Sequence, residues 1–508
     1  VQKLKQTFRA AIDHPVLFWV IVAALYCVAR LATWGYPYDS DHWIFYYVGK
    51  IWGEGGQLYV NAWDHKPPLI FAFNALMNFL AGDNIVLHRI WLTLISVATM
   101  LLFYAVARRV ISQLLALHTH RSHDPARVVF LSRIALLLFV FLANLSQFTS
   151  SGNNTENYGL FFLMGMWYMY YLFTERRHWW YLALAGVGLS CLFFLKGTFV
   201  LFGLPIVILL VVKYRRSLSK LFGWLAMFGL PVLLQGVWWI GYFAQQGTLN
   251  DFFVASFSFS AKYANSAWHG GVSNEPLLTI ETFLVIIPAV IALAVMLRDS
   301  KKGIHNEGYL MLGTSLMLGL LAVLSVGSFY PYYLQIIMPF IVLVCVYAAV
   351  RLRLVRANRR WMLIGASAML LLFFYAVSTK QLLNNFTGSA AWEADEYQQV
   401  ADYVRSHTQP GDKVFDDSYG ATFYQLAGRD SGSRFVSASV LLLDYRDHYG
   451  YDLDSVFIGD MEQNQTTYVV TTRGTNLYAK NIPVTEYLQT HYHLEKQYAT
   501  FDVLRRND

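Results

Sequence analysis

The chain of 508 residues is 56% hydrophobic, 17% aromatic and only 14% charged, too little charge for a water-facing surface, which excludes a soluble globular protein and a disordered one. Its net charge of +7 does not mark a nucleic-acid binder, because the cations lie between apolar runs and not on one face. Cys27, Cys191 and Cys345 fall inside apolar runs, which excludes a disulfide scaffold and reads them as small core residues.

Apolar runs long enough to cross a hydrocarbon core of about 30 Å occur near residues 16–33, 86–107, 128–148, 158–174, 179–196, 198–213, 221–243, 279–297, 309–326, 332–350 and 361–379, so the sequence predicts a polytopic α-helical membrane protein with about eleven crossings. No small-residue cleavage site follows the first run, which is therefore expected to be a retained anchor. One run is ambiguous: residues 67–81 are apolar but short and interrupted by Asn74 and Asn78. Charge decides it. If that run does not cross, the loops at 1–15, 108–127, 175–178, 213–220, 298–308 and 351–360 share one basic side, and the opposite loops hold only Lys50, Lys66 and Lys262, with Lys196 at a span end. The basic side is expected to be cytoplasmic. Residues 66–81 are then read as an interfacial helix on the outer side, like the segment 41–53 before it.

Beyond about residue 387 the hydropathy collapses into a soluble pattern. Helices are expected at 394–407, 419–427, 453–461 and 484–491, and strands at 413–415, 434–440, 467–472 and 500–504, a small α/β domain. The division is thus residues 1–387 for the membrane domain, with the first outer loop at 34–85, and 388–508 for an extracytoplasmic domain placed outside by the odd number of crossings.

Ionisable residues beside lipid are costly, so where they gather is informative. The first outer loop carries Asp39, Asp41 and His42, then Asp64-His65-Lys66-Pro67-Pro68. The second carries Glu156, an acid at a helix start, which has a capping reading as well as a chemical one. Lys196 interrupts two apolar runs, where the plain alternative is snorkelling. Tyr330-Pro331-Tyr332-Tyr333-Leu334-Gln335 supplies phenols and an amide, or an aromatic belt. Taken together, one face presents carboxylates, lysines and phenols suited to lipid phosphate chemistry: Lys serves as a point charge for a phosphate, and a carboxylate orients an attacking hydroxyl. The sequence has no phosphate loop, His-Glu-x-x-His, Cys-x-x-Cys or Gly-x-Ser-x-Gly motif, so nucleotide hydrolysis and zinc chemistry have no support. His118, His120 and His123 are read as a solvated loop.

The order Asp39-Ser40-Asp41, Tyr59, Asp64-His65-Lys66-Pro67-Pro68, Glu156, Leu195-Lys196-Gly197 and Tyr330 to Gln335 with Pro339 resembles the protein mannosyltransferase and lipid A aminoarabinose transferase superfamily of GT-C glycosyltransferases. The resemblance implies a GT-C fold and an inverting hexosyl- or pentosyltransferase that takes a sugar from a polyprenyl-phosphate donor and passes it to a glycan, lipid or protein acceptor at the outer face. It makes Asp41 the catalytic carboxylate, with Asp39 as the close alternative, and Lys66, Lys196 and Tyr332 the phosphate-binding residues. Around them Glu156, Asp64, His65, His42, Tyr59, Tyr333, Gln335 and Lys262 are expected to meet substrate. His42 and Tyr332 depart from residues common in relatives. No cofactor is assigned, and a divalent cation near Asp41 and Glu156 is compatible. The expected location is a bacterial plasma membrane. The competing reading is a transporter or flippase of lipid-linked sugars, which should show an inverted repeat and mid-span charges; neither is evident.

Overall fold

The computed structural model describes residues 14–34, 40–116, 125–262, 264, 280–300, 306–326, 330–352, 389–417, 420–436, 452–473 and 482–507. Asp39, the histidines at 118, 120 and 123 and the expected crossing at 361–379 lie outside them.

Among the described residues the membrane portion is built of helices: α1 Pro15–Trp34, α2 Ser40–Gly53, α3 Leu69–Ala81, α4 Ile85–Ala116, α5 Pro125–Asn144, α6 Thr155–Arg176 and α7 Trp179–Leu195. A 3-10 segment, Gly197–Gly203, leads into α8 Leu204–Tyr214, followed by α9 Leu218–Gln245, α10 Ile280–Ser300 and α11 Glu307–Leu324. A second 3-10 segment, Pro331–Ile337, leads into α12 Met338–Arg351. Among the described residues six helical stretches are long and apolar enough to cross a membrane, and Pro15–Arg30, Leu69–Ala81 and Trp179–Leu195 are shorter apolar helices.

Helix α3 has 13 residues, a length of about 20 Å, short of the roughly 30 Å hydrocarbon core. It packs along α2. The approach is close enough that a Cβ on Gly49 would meet Asn74 Cβ at 2.6 Å, so only glycine fits there. The two asparagines that interrupt the apolar pattern tie this layer together: Tyr46 donates to Asn78 Oδ1 at 2.8 Å, and Asn153 donates to Asn74 Oδ1 at 2.8 Å. Cys27, expected in the core, is exposed on α1.

The C-terminal part comprises α13 Ser389–Ser406, β1 Lys413–Asp416, α14 Ala421–Ala427, β2 Asp430–Ser431, α15 Leu453–Gln463, β3 Tyr468–Thr472, α16 Ile482–His491, β4 Tyr492–Gln497 and β5 Phe501–Arg506. Its sheet runs β2-β1-β3-β5-β4, with β1 parallel to β2 and β3, and β5 antiparallel to β3 and β4. Two strand expectations change. The edge strand is Asp430–Ser431, and of the expected strand at 434–440 the described residues 434–436 hold only an isolated bridge from Phe435 to Trp63 of the first loop, the remainder lying outside the described residues. Strand β4 was not expected, since an edge strand carrying His493, Glu495 and Lys496 lacks a strong apolar alternation.

Two cores result. One fills the helical bundle. The other joins Trp43, Tyr47, Tyr59, Trp63 and Phe259 of the membrane portion to Val414, Phe423, Phe435 and Val469 of the sheet domain. The sheet domain therefore sits on the same end of the bundle as the first loop.

Candidate functional site

Helix α2 begins with Asp41, half-buried in its first turn. The Tyr332 hydroxyl, from the 3-10 segment before α12, donates to Asp41 Oδ2 at 3.2 Å. A proline at the start of that segment and 3-10 geometry over seven residues turn Tyr332 and Tyr333 toward α2 and α6.

Glu156 lies in the first turn of α6, yet it does not cap that helix. Asn154 does, its Oδ1 accepting from the Asn157 amide at 2.8 Å. Glu156 is buried and accepts from Lys196 Nζ at 2.8 Å on one oxygen and from Thr155 on the other. Lys196 occupies the extended break between α7 and the following 3-10 segment. Its ammonium rests 3.6 Å from the centroid of the Tyr333 ring and within electrostatic reach of Lys66 and Asp41. A side chain that was only snorkelling would point to water; this one is aimed into the cluster.

Lys66 is held from its own loop. Its amide donates to Asp64 Oδ1 at 3.1 Å, and Nζ lies 3.6 Å from the same oxygen. Nζ also lies 3.0 Å from His65 Nε2. An ammonium only donates, so that nitrogen accepts, and the imidazole proton is left on Nδ1, 3.7 Å from Asp64 Oδ2. Burial first, and the neighbouring Lys66 second, push His65 down to about 3, so His65 is neutral at physiological pH.

Tyr59 lies behind the loop. It is fully buried, and its hydroxyl donates to the Lys66 carbonyl at 2.9 Å and pairs with Ser256 Oγ at 3.1 Å. Its φ of 69° is unusual for a bulky residue, a strain of about 1 to 3 kcal/mol that surrounding contacts must hold. His42 turns toward α4, its Nε2 3.3 Å from His88 Nδ1, and burial with His88 beside it lowers it to about 3. Gln335 donates to the Ala143 carbonyl at 2.8 Å, so it joins the 3-10 segment to the end of α5. Lys262 is two residues beyond Ser260, whose hydroxyl donates to the His65 carbonyl at 3.2 Å.

Thus Asp41, Tyr332, Tyr333, Glu156, Lys196, Lys66, Asp64 and His65 come together at one end of the bundle, while Tyr59, His42 and Gln335 support them from within. Among the described residues no group of three His, Cys, Asp or Glu side chains could hold a metal ion. Sequence reasoning missed Asn153, which donates to both Asn74 and the His42 carbonyl. It also missed Arg30, buried and donating to Thr149 at 2.7 Å and the Ser151 carbonyl at 3.0 Å. An arginine near the end of an apolar run was the available signal for the second, because a buried guanidinium must find partners.

A family model for dolichyl-phosphate-mannose-protein mannosyltransferase matches residues 123–239. No curated protein matches the sequence. Among solved structures, ArnT from Cupriavidus metallidurans in the apo state aligns with a TM-score of 0.57 at 15% identity, covering 97% of this chain and 98% of that one. ArnT bound to undecaprenyl phosphate aligns at 0.52 and 14%, covering 96% and 97%. The archaeal oligosaccharyltransferase AglB from Archaeoglobus fulgidus, in complex with an inhibitory peptide and a dolichol-phosphate, aligns at 0.52 and 10%, covering 98% and 74%. The chain has the GT-C fold of a membrane protein with a small C-terminal sheet, and it resembles the GT-C glycosyltransferases in both sequence and structure.

Proposed function

We propose that this chain is an inverting glycosyltransferase that moves a sugar from a polyprenyl-phosphate donor to an acceptor hydroxyl, working at the extracytoplasmic face of a bacterial plasma membrane. The likeness to GT-C proteins supports a glycosyltransferase. The observation that carries the finer reading is the pairing of one carboxylate, Asp41, with two ammonium groups, Lys66 and Lys196, on the same end of the bundle.

In this reading Asp41 accepts the proton of the acceptor hydroxyl as its oxygen bonds to the anomeric carbon. The bond from that carbon to the donor phosphate oxygen breaks, and the polyprenyl phosphate leaves with the electron pair. Tyr332 orients Asp41 through its hydrogen bond. Lys66 and Lys196 face a leaving group whose charge grows along the reaction, so they stabilise the transition state more than the bound donor. Glu156, bonded to Lys196 and Thr155, is occupied and supplies no second nucleophile, which favours a single displacement and inversion. Polyprenyl phosphate and membrane lipid are the implied partners, with a glycan, lipid or protein as acceptor.

The test is to give the purified protein polyprenyl-phosphate sugars and candidate acceptors, identify the product by mass spectrometry and read its anomeric configuration by NMR. Transfer with inverted configuration is expected. Retained configuration, or movement of lipid-linked sugar across vesicles without transfer, would overturn the proposal and favour the transporter reading.

A further inference from the structure

The soluble domain does more than sit on the membrane portion: its chain enters the hydrogen bonding of the first loop, three residues before Lys66. The Trp63 amide donates to the Arg434 carbonyl at 2.8 Å, and Trp63 forms a parallel bridge with Phe435. The Trp63 indole, 1% exposed, packs edge-on against Phe435 at 5.7 Å and against Phe259 at 5.2 Å. Phe259 lies in turn 5.0 Å from the His65 ring.

One carboxylate organises the segment that reaches across. Asp460, on α15, accepts from the Arg434 amide at 3.0 Å, from Arg434 Nε at 2.9 Å and from Nη2 at 2.8 Å, and from Ser433 Oγ at 3.3 Å. A carboxylate that takes both a backbone amide and a guanidinium fork fixes main chain and side chain of the same residue at once. Here that fixed residue presents its carbonyl to Trp63. A second tie lies nearby: the Ser431 amide donates to the Tyr47 hydroxyl of α2 at 2.8 Å.

We propose that Asp460 is a positioning residue for Lys66, and that the soluble domain is thereby a structural part of the donor-phosphate site. This rests on the donor-phosphate role of Lys66. The path runs from Asp460 to Arg434, through the Trp63 amide, into the turn where Asp64 holds the Lys66 amide. That path ends at the Lys66 backbone amide and does not include Asp41. Its loss should therefore loosen the loop and weaken phosphate binding without shifting the pH profile set by Asp41.

The test uses the full-length protein in lipid nanodiscs with undecaprenyl phosphate as the probe, and follows amide exchange of the peptide containing Trp63. In Asp460→Ala, Trp63 exchange should rise about tenfold as its acceptor loosens, since local opening sets the rate. Affinity for undecaprenyl phosphate should fall about fivefold, less than in Lys66→Ala. Asp460→Asn keeps an acceptor for the Arg434 amide and should show smaller changes in the same direction. Exchange in β1 and β3 reports the fold; if Asp460→Ala disturbs it, Asp460→Asn decides the question. Unchanged Trp63 exchange, or unchanged affinity while Lys66→Ala weakens binding, overturns the proposal. If Lys66→Ala itself leaves affinity unaltered, the donor-phosphate reading fails, and with it any role for Asp460 in that site, whatever the exchange shows of the loop.

Discussion

The two ends of the helical bundle hold their charges in different ways. At the end away from the site, Asp299 receives Arg351 through Nε at 2.5 Å and Nη2 at 3.0 Å and the Tyr347 hydroxyl at 2.8 Å. Arg109 likewise meets both oxygens of Glu175 at 2.7 and 3.2 Å. These are guanidinium forks that use up the carboxylates they face. The cations beside the site's carboxylates are lysines, whereas Arg30 at that end bonds only neutral groups, Thr149 and the Ser151 carbonyl, among its described hydrogen bonds. Lys196 makes one close contact to Glu156 and rests on a phenol ring, while Lys66 stands 3.6 Å from Asp64. An ammonium is a compact charge with three donors, so a phosphate can be added to its partners without dismantling them. The same bundle therefore closes its charges at one end and keeps them available at the other.

The strongest way to break that contrast is Asp41→Asn. It keeps the size of the side chain and can still take the Tyr332 hydrogen bond, but it cannot accept a proton. Transfer should fall by about 10² to 10⁴-fold with donor affinity little changed; turnover equal to wild type would remove Asp41 from the chemistry. Next come the lysines. Lys66→Ala and Lys196→Ala should each cost about 2 to 4 kcal/mol of transition-state stabilisation, read in kcat/KM, with weaker donor binding as well. Losses below about threefold at both positions would mean that the site end is no more functional than the far end.

The opposite arm of the comparison is Asp299→Ala. It strands a partly buried guanidinium and should destabilise the protein by about 3 kcal/mol, seen as a lower thermal midpoint. Transfer per folded molecule should stay within about twofold of wild type, because this pair serves the fold. A large loss of kcat with an unchanged midpoint would show that the far end is coupled to the chemistry.

Much of this was legible in one dimension. Asp41, Lys66, Glu156 and Lys196 stood out because a charge beside lipid is expensive and must have a reason. The short run at 67–81 forms the helix expected of it, Leu69–Ala81, packed along α2. What could not be read was orientation. Whether Glu156 capped its helix or reached a lysine depends on which way it leaves the first turn, and its partner lies 40 residues away. The docking of the soluble domain was hidden for a similar reason: Trp63 looks like interfacial aromatic surface, and Phe435 like the interior of a strand. Only their meeting makes either a support for the loop. Strand β4 escaped because an edge strand's solvent side is polar, so its alternation is diluted.

The smallest effect separates two buried acids. Asp299 has a full set of donors, whereas both carboxylate oxygens of Asp417, just after β1, lack a partner among the described residues. Burial, with Asp416 beside it, pushes Asp417 up to about 8 from an ordinary 3.8. Between those values the folded chain keeps a proton that the unfolded chain has released, so the unfolded state binds fewer protons and stability falls as pH rises from about 4 to about 8. Asp417→Asn removes that slope. Its thermal midpoint should match wild type near pH 4 and exceed it increasingly as the pH rises toward 8. A difference that does not vary with pH would mean that Asp417 finds its counter-charge elsewhere, and that the two carboxylates are alike after all.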